Sequence, residues 1–140
     1  MKKFLLPIIL FASLVSCKIQ LVPTYNATIV ADAIDARVYC DSLYNAMLHD
    51  SSANYADYTN AYNLENVKLQ NLVFAEATRD HGKILLQQAQ RIQNNFKIFQ
   101  SDHAVNVTLS APIIRSYKAI MDDLFRSYIT SQNSLNGKPQ

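Results

Sequence analysis

The chain has 140 residues, with 13 basic and 11 acidic side chains and a formal net charge of +2 at pH 7. Only two glycines occur in it, which argues against an architecture of many tight turns and favours helices. The length suits one small domain, and no internal repeat is visible, which excludes a repeat array.

The first predicted element is an apolar run from Phe4 to Ser16 behind a basic start. This run has 13 residues, whereas a transmembrane helix takes roughly 20. We therefore expect a secretory signal and not a membrane span. The run ends in Leu14-Val15-Ser16-Cys17, which resembles the bacterial lipobox at all four positions.

The lipobox resemblance implies that residues 1–16 are removed and that Cys17 carries lipid on its thiol and on its new amino terminus. Two or three acyl chains would hold the protein at a membrane almost permanently, since each buried methylene contributes about 0.8 kcal/mol. In Gram-negative lipoproteins an Asp after the Cys commonly retains the protein at the inner membrane. Lys18 stands here instead, which implies the outer membrane, and the lack of a following acidic run implies its periplasmic face.

Removal of the signal would also change the charge balance. Lys2 and Lys3 would leave with it, so that 11 basic and 11 acidic residues remain and the formal net charge becomes zero. The basic pI of about 8.5 then gives no reason to expect nucleic acid as a partner.

After an extended tether over residues 17–25, we predict a helical bundle over residues 26–131 and a disordered tail over residues 132–140. The first helix is expected from Asn26, a good N-cap, to His49. Its apolar residues recur at the alternating spacings of four and three that are typical of bundles. The seam that they form comprises Ile29, Ala33, Ala36, Cys40, Leu43 and Met47. Val30, Ile34, Tyr44 and Leu48 are expected to widen this seam.

Cys40 belongs to this apolar pattern. With Cys17 consumed by lipid, Cys40 has no intramolecular partner for a disulfide. We expect it to be a small buried core residue, since no nearby His or cation would activate its thiol.

The second helix is expected over residues 54–80, after a turn at residues 50–52. Its exposed side is predicted to carry Glu65 and Lys68, a favourable pair three residues apart. Its buried side comprises Tyr55, Tyr58, Tyr62, Leu69, Leu72 and Val73.

Gly82 marks the connection to a third helix that is expected to end near Ser101. Its apolar residues again follow the bundle spacing. They are Leu85, Ala89, Ile92, Phe96 and Phe99.

The last helix is predicted to begin at Ser110, with Pro112 tolerated in its first turn. Lys118, Asp122 and Arg126 are expected to form a ladder of charges on its solvent side. Its buried stripe is predicted to be Ile113, Tyr117, Ile120, Leu124 and Tyr128.

Four amphipathic helices with mostly short connections predict an all-α, antiparallel up-down-up-down four-helix bundle behind the signal peptide. The chain after residue 16 is similar to small all-helical lipoproteins of unknown function from Gram-negative bacteria. This resemblance is carried by Pro23-Thr24-Tyr25 before the first helix and by the tyrosine-rich second helix. It supports the fold and implies no activity.

The three histidines are expected at helix C-termini, where they interact favourably with the helix dipole. In an up-down bundle His49 and His103 would lie at the same end, and with Asp50 and Asp102 they could bind zinc. We nevertheless predict no metal and no cofactor. The sequence lacks paired Glu-x-x-His, H-E-x-x-H, G-x-S-x-G and phosphate-loop motifs, so we also predict no catalytic residue and no enzyme activity.

The chain contains eight tyrosines and no tryptophan. Tyr55, Tyr58 and Tyr62 should share one helix face, either at the edge of the core or as a contact patch for another protein. We predict a non-enzymatic interaction module that binds another envelope protein, with a carrier of a small ligand or lipid as the alternative. A large enclosed apolar cavity would favour the carrier, and a filled core with an exposed aromatic patch the interaction module.

Overall fold

The computed structural model describes residues 22–50 and 53–137. The predicted signal peptide, the lipobox and Cys17 lie outside the described residues, as do residues 51–52 of the predicted turn and the last three residues of the predicted tail. Within the described ranges the chain has four α-helices, one short 3-10 helix and no β-strand. The predicted all-α class is therefore confirmed.

The helices are α1, Ala27–His49; α2, Thr59–Ala77; α3, Lys83–Asn106; and α4, Ala111–Asn133. The 3-10 helix, Tyr55–Tyr58, precedes α2 directly. Both α1 and α3 pack against α2 and α4, so the four helices enclose one core, as expected for a bundle. Among the helices of the described ranges, none combines the length and the hydropathy that a membrane crossing requires.

The predicted bounds and seam of α1 are confirmed. The Asn26 side chain accepts hydrogen bonds from the backbone N–H groups of Thr28 (3.0 Å) and Ile29 (3.3 Å), which caps the helix. Cys40 is buried as a free thiol, and burial raises its pKa well above the usual value. Ile34 was expected to widen the seam but is 46% exposed, unlike Val30 and Tyr44, which are buried.

The second helix differs from the prediction in its start and in its buried face. It begins at Thr59, after the 3-10 turn. The predicted exposed pair of Glu65 and Lys68 is wrong, since Glu65 is completely buried. Lys68 forms an ion pair with Asp35 of α1, and its ammonium lies 5.5 Å from the ring centroid of Tyr39. The buried residues of α2 are Tyr62, Glu65, Leu69, Leu72 and Glu76.

The predicted seam of α3 is confirmed, but the helix continues to Asn106 and buries His103 as well. The residue that follows its last turn is Val107, the C-cap, whose φ of 64° lies in the left-handed region that β-branched residues avoid. The Val107 carbonyl accepts a hydrogen bond from the Tyr55 backbone N–H at 2.9 Å, next to an isolated β-bridge between Asn54 and Thr108. These contacts join the end of α3 to the 3-10 helix.

The predicted buried stripe of α4 is largely one residue out of register. Ile113 and Ile120 are 44% and 45% exposed, because α4 turns the residue after each of them towards the core. Tyr128 is buried as predicted. The buried residues of α4 are Ile114, Met121, Phe125, Tyr128 and Gln132.

The predicted solvent-side ladder of α4 is also wrong in part. Lys118 and Asp122 face α1, where Lys118 binds Asp41 and Asp122 lies 3.3 Å from the Arg37 guanidinium. The rotation that exposes Ile113 thus turns two charges of the ladder towards α1. The helix also runs through Asn133, past the predicted start of the disordered tail.

Candidate functional site

The tyrosine–histidine cluster consists of Tyr55, Tyr58, Tyr62 and His103, where the 3-10 helix meets the last turn of α3. The ring centroid of Tyr55 lies 5.4 Å from that of Tyr62 and 5.6 Å from that of His103. Tyr62 is completely buried, whereas Tyr55 and Tyr58 are half-buried. The three tyrosines, predicted either at the edge of the core or as a contact patch, thus surround an imidazole, and a partner would reach only Tyr55 and Tyr58.

Both ring nitrogens of His103 are hydrogen-bonded. Nε2 lies 3.1 Å from the Ala53 carbonyl oxygen, which can only accept, so Nε2 carries the proton. In the neutral imidazole Nδ1 then accepts from the Tyr62 hydroxyl at 2.6 Å. Tyr62 and His103, called the dyad below, have the residue types of an acid–base pair, but both are buried. The two hydrogen bonds of His103 hold Ala53, in the loop before the 3-10 helix, against α2 and α3.

The zinc alternative at this end of the bundle has no support in the structure. His103 uses both nitrogens, and His49 is exposed at the end of α1. Over residues 22–50 and 53–137, no three or more His, Cys, Asp and Glu side chains come together as a metal site. His81 lies apart, exposed after α2 with a φ of 60°.

The Tyr62→Phe substitution should lower the free energy of unfolding by about 1–3 kcal/mol, because it leaves Nδ1 of a buried imidazole without a donor. Tyr44→Phe is a matched control, since Tyr44 is also buried but its hydroxyl meets only the Cys40 thiol, a weak hydrogen-bonding group. That control should be neutral or stabilising. Urea denaturation followed by circular dichroism measures both, and equal losses would contradict the assigned dyad.

A second polar group lies in the interior between α1 and α2. Glu65 is completely buried, and neither of its carboxyl oxygens has a hydrogen-bond partner among the described residues. Burial raises the pKa of this carboxyl from its usual 4.5 to about 8, against the opposing effect of Lys68. Glu65 is therefore a protonated, neutral side chain in the core at neutral pH.

A third polar cluster is centred on Glu76 near the end of α2. Arg79 Nη1 lies 2.8 Å and 3.0 Å from the two Glu76 carboxylate oxygens. The Tyr128 hydroxyl donates to the same carboxylate at 2.6 Å, and Gln132 donates to it as well. Arg79 also donates to the Thr24 carbonyl, so this cluster ties the segment before α1 to α2 and α4.

Two clefts open on the surface of the bundle. One of about 340 Å³ lies beside the Glu76 cluster and is lined by Thr24, Tyr25, Asn26, Arg79, Asp80 and His81. The other, of about 560 Å³, lies between α2 and α3 and is called the α2–α3 groove below. It is lined by Asn66, Gln70, Val73, Gln93, Lys97 and Gln100.

The comparisons with known proteins give no relative. No family model matches the chain, and no curated protein and no solved structure matches it. Its function has to be inferred from its own residues.

The buried polar side chains of Glu65, Glu76, His103 and Gln132 were not predicted from the sequence. Glu65 and Glu76 share a helix with Tyr62. Their positions continue the seam of α2, because Tyr62, Glu65, Leu69, Leu72 and Glu76 follow spacings of three and four without interruption. A search for apolar residues alone skips them, whereas the period itself includes them.

Proposed function

We propose that this chain is a lipid-anchored protein of the bacterial cell envelope, whose helical bundle binds another protein and catalyses no reaction. The anchor is inferred from the lipobox pattern Leu14-Val15-Ser16-Cys17, in which Cys17 carries the lipid. Lys18 favours the outer membrane, with the bundle on its periplasmic face. The bundle begins at Ala27, close enough to Cys17 to keep any partner near the membrane.

We propose an antiparallel up-down-up-down arrangement for the bundle. It is supported by contacts at its two ends. Tyr62, near the start of α2, contacts His103 near the end of α3, and Glu76, near the end of α2, contacts Gln132 near the end of α4. The short connection of residues 107–110 between α3 and α4 fits the same arrangement.

The position of Thr24 supports an orientation for the anchored protein. Its carbonyl is bound by Arg79, so only residues 17–23 would separate the lipid from the bundle. Seven residues reach at most about 25 Å. The end with the Glu76 cluster would therefore face the membrane, and the tyrosine–histidine cluster would face away from it.

The filled core of the bundle is the observation that favours the interaction role over the carrier role. The ring centroids of Tyr44 and Phe99 are 4.6 Å apart, and those of Tyr62 and Phe96 are 5.8 Å apart, so aromatic side chains occupy the centre. The two large clefts described above open on the surface and have walls that mix polar and apolar groups. A lipid carrier would need an enclosed apolar volume, which these clefts do not supply.

The anchor is tested by Cys17→Ser, which should move the protein from the membrane fraction to the soluble fraction without loss of helical circular dichroism. Cys40→Ala is the matched control, because it removes the other cysteine and should leave the protein at the membrane.

The interaction role is tested by cross-linking the wild-type protein in intact cells and purifying it. The purified protein should retain a second protein and no stoichiometric lipid apart from its anchor. Recovery of bound lipid alone would favour the carrier, and membrane retention of Cys17→Ser would contradict the anchor.

A further inference from the structure

The exposed face of α2 carries no charged side chain. The helix has three charged residues, of which Glu65 and Glu76 are buried and Lys68 is paired with Asp35. A solvated helix normally places charges on its outer face, whereas depletion of charge is typical of the centre of protein interfaces. The exposed positions are Asn60, Asn63, Leu64, Val67, Gln70, Asn71, Phe74 and Ala77.

Large apolar side chains lie among these uncharged positions. Leu64, Val67 and Phe74 are 48%, 53% and 69% exposed. Val67 and Phe74 are three residues before and four residues after Gln70, so all three side chains are neighbours on the helix surface. Gln70 lines the α2–α3 groove, and Val67 and Phe74 therefore border that groove along about 10 Å of helix.

The groove supplies hydrogen-bonding groups that the fold uses only in part. Asn66 Nδ2 donates to Gln100 Oε1 at 2.8 Å, and Gln100 Nε2 donates to the Tyr55 hydroxyl at 3.3 Å. The Asn66 side-chain oxygen, by contrast, is buried without a partner among the described residues. The fold therefore leaves some of the hydrogen-bonding capacity of these carboxamides unused.

The helix opposite, α3, contributes positive charge to the same face. Lys83 and Lys97 lie about four turns apart on the same side of the helix. Both are exposed, and neither forms an ion pair within the part of the chain that the structure describes. The one carboxylate of α3 is Asp102, which accepts a hydrogen bond from Tyr117 of α4. By contrast, α1 exposes Asp32 and Asp35. The α2–α3 face thus combines apolar side chains and carboxamides with the positive charges of Lys83 and Lys97.

We propose that the α2–α3 groove is the docking surface for an acidic amphipathic helix of a partner protein. This inference rests on the proposed interaction role and specifies its site. The apolar ridge of the partner would pack on Val67 and Phe74. Its flanking carboxylates would face Lys97 and Lys83, and its polar side chains would pair with the carboxamides of the groove.

The test is photo-cross-linking of the full chain in its own cells, with benzoylphenylalanine placed at Gln70 or at Gln93, which both line the groove. Ala46 on α1 and Ser127 on α4 are exposed control positions. We expect an adduct from the two groove positions, and mass spectrometry should identify the attached segment as helical in pattern and rich in Asp and Glu. Lys97→Glu should reduce the adduct at least about tenfold, since like charges oppose docking. Arg126→Glu, on the exposed side of α4, should leave it unchanged.

Several outcomes would overturn the docking site. They are an adduct with a basic segment, with lipid or glycan, or with a second copy of this chain, equal yields at the control positions, and no adduct at all. A protein adduct that forms only at Ala46 or Ser127 would refute this site and leave the interaction role intact. Bound lipid without any protein adduct would refute both.

Discussion

Replacing Arg79 with Met should lower the free energy of unfolding by about 3–5 kcal/mol, because the Glu76 carboxylate would stay buried without its cation. The Glu76 side chain is completely buried and that of Arg79 is 11% exposed, so water cannot take the place of the guanidinium. The same change removes the hydrogen bond to the Thr24 carbonyl. Urea denaturation followed by circular dichroism measures the loss.

The chain contains a matched control for Arg79. Asp123 and Arg126 have the same spacing of three residues, but their side chains are 78% and 67% exposed and 3.6 Å apart. Arg126→Met should therefore change the stability by no more than about 0.5 kcal/mol. The double variant Glu76→Gln/Arg79→Met should recover part of the loss, since it removes the buried charge as well. Equal effects at Arg79 and Arg126 would contradict the assigned role of the cluster.

The second large effect concerns pH. The pKa of Glu65 is about 8 in the folded chain and 4.5 where the carboxyl is solvated. Between these values the folded protein keeps a proton that the unfolded chain has released, so raising the pH favours unfolding. The stabilisation is complete below pH 4.5 and is lost as the pH approaches 8. Across this window the free energy of unfolding should fall by about 3–5 kcal/mol.

Glu65→Gln isolates this effect, because it keeps the shape of the side chain and removes its titration. The variant should be more stable than the wild type at pH 8, and the difference should shrink as the pH falls to 4.5. Asp123→Asn, at an exposed carboxyl, should leave the pH profile of stability unchanged. Parallel profiles for wild type and Glu65→Gln would show that Glu65 is ionised or solvated in the folded protein.

Some local features of the fold could be predicted because they depend on neighbouring residues. The Asn26 cap determines the start of α1 through two hydrogen bonds to the next turn. The seam of α3 was equally clear, since the positions adjacent to Ala89, Phe96 and Phe99 are mostly polar and leave one choice of buried face. His103 continues that seam, but a polar imidazole with Asp102 beside it suggests a helix end rather than a core position.

The candidate groove could not be predicted, because its two walls belong to different helices. Gln70 and Gln93 have no significance in the sequence beyond their polarity. Their meaning comes from the packing of α2 against α3, which brings carboxamides from both helices to one cleft. The absence of exposed charge on α2 also becomes visible only once Glu65 and Glu76 are known to be buried.

The sequence by itself determined the number of helices, most of their bounds and the buried face of α1 and α3, since capping and the 3.6-residue period act within one helix. The tertiary structure decided the rotation of α4 and the surroundings of each polar seam residue. In α4, Ile113 and Ile114 are adjacent, as are Ile120 and Met121, so two faces about 100° apart are equally apolar. Only the volume left by the other three helices selects between them, because the interior must be filled without gaps.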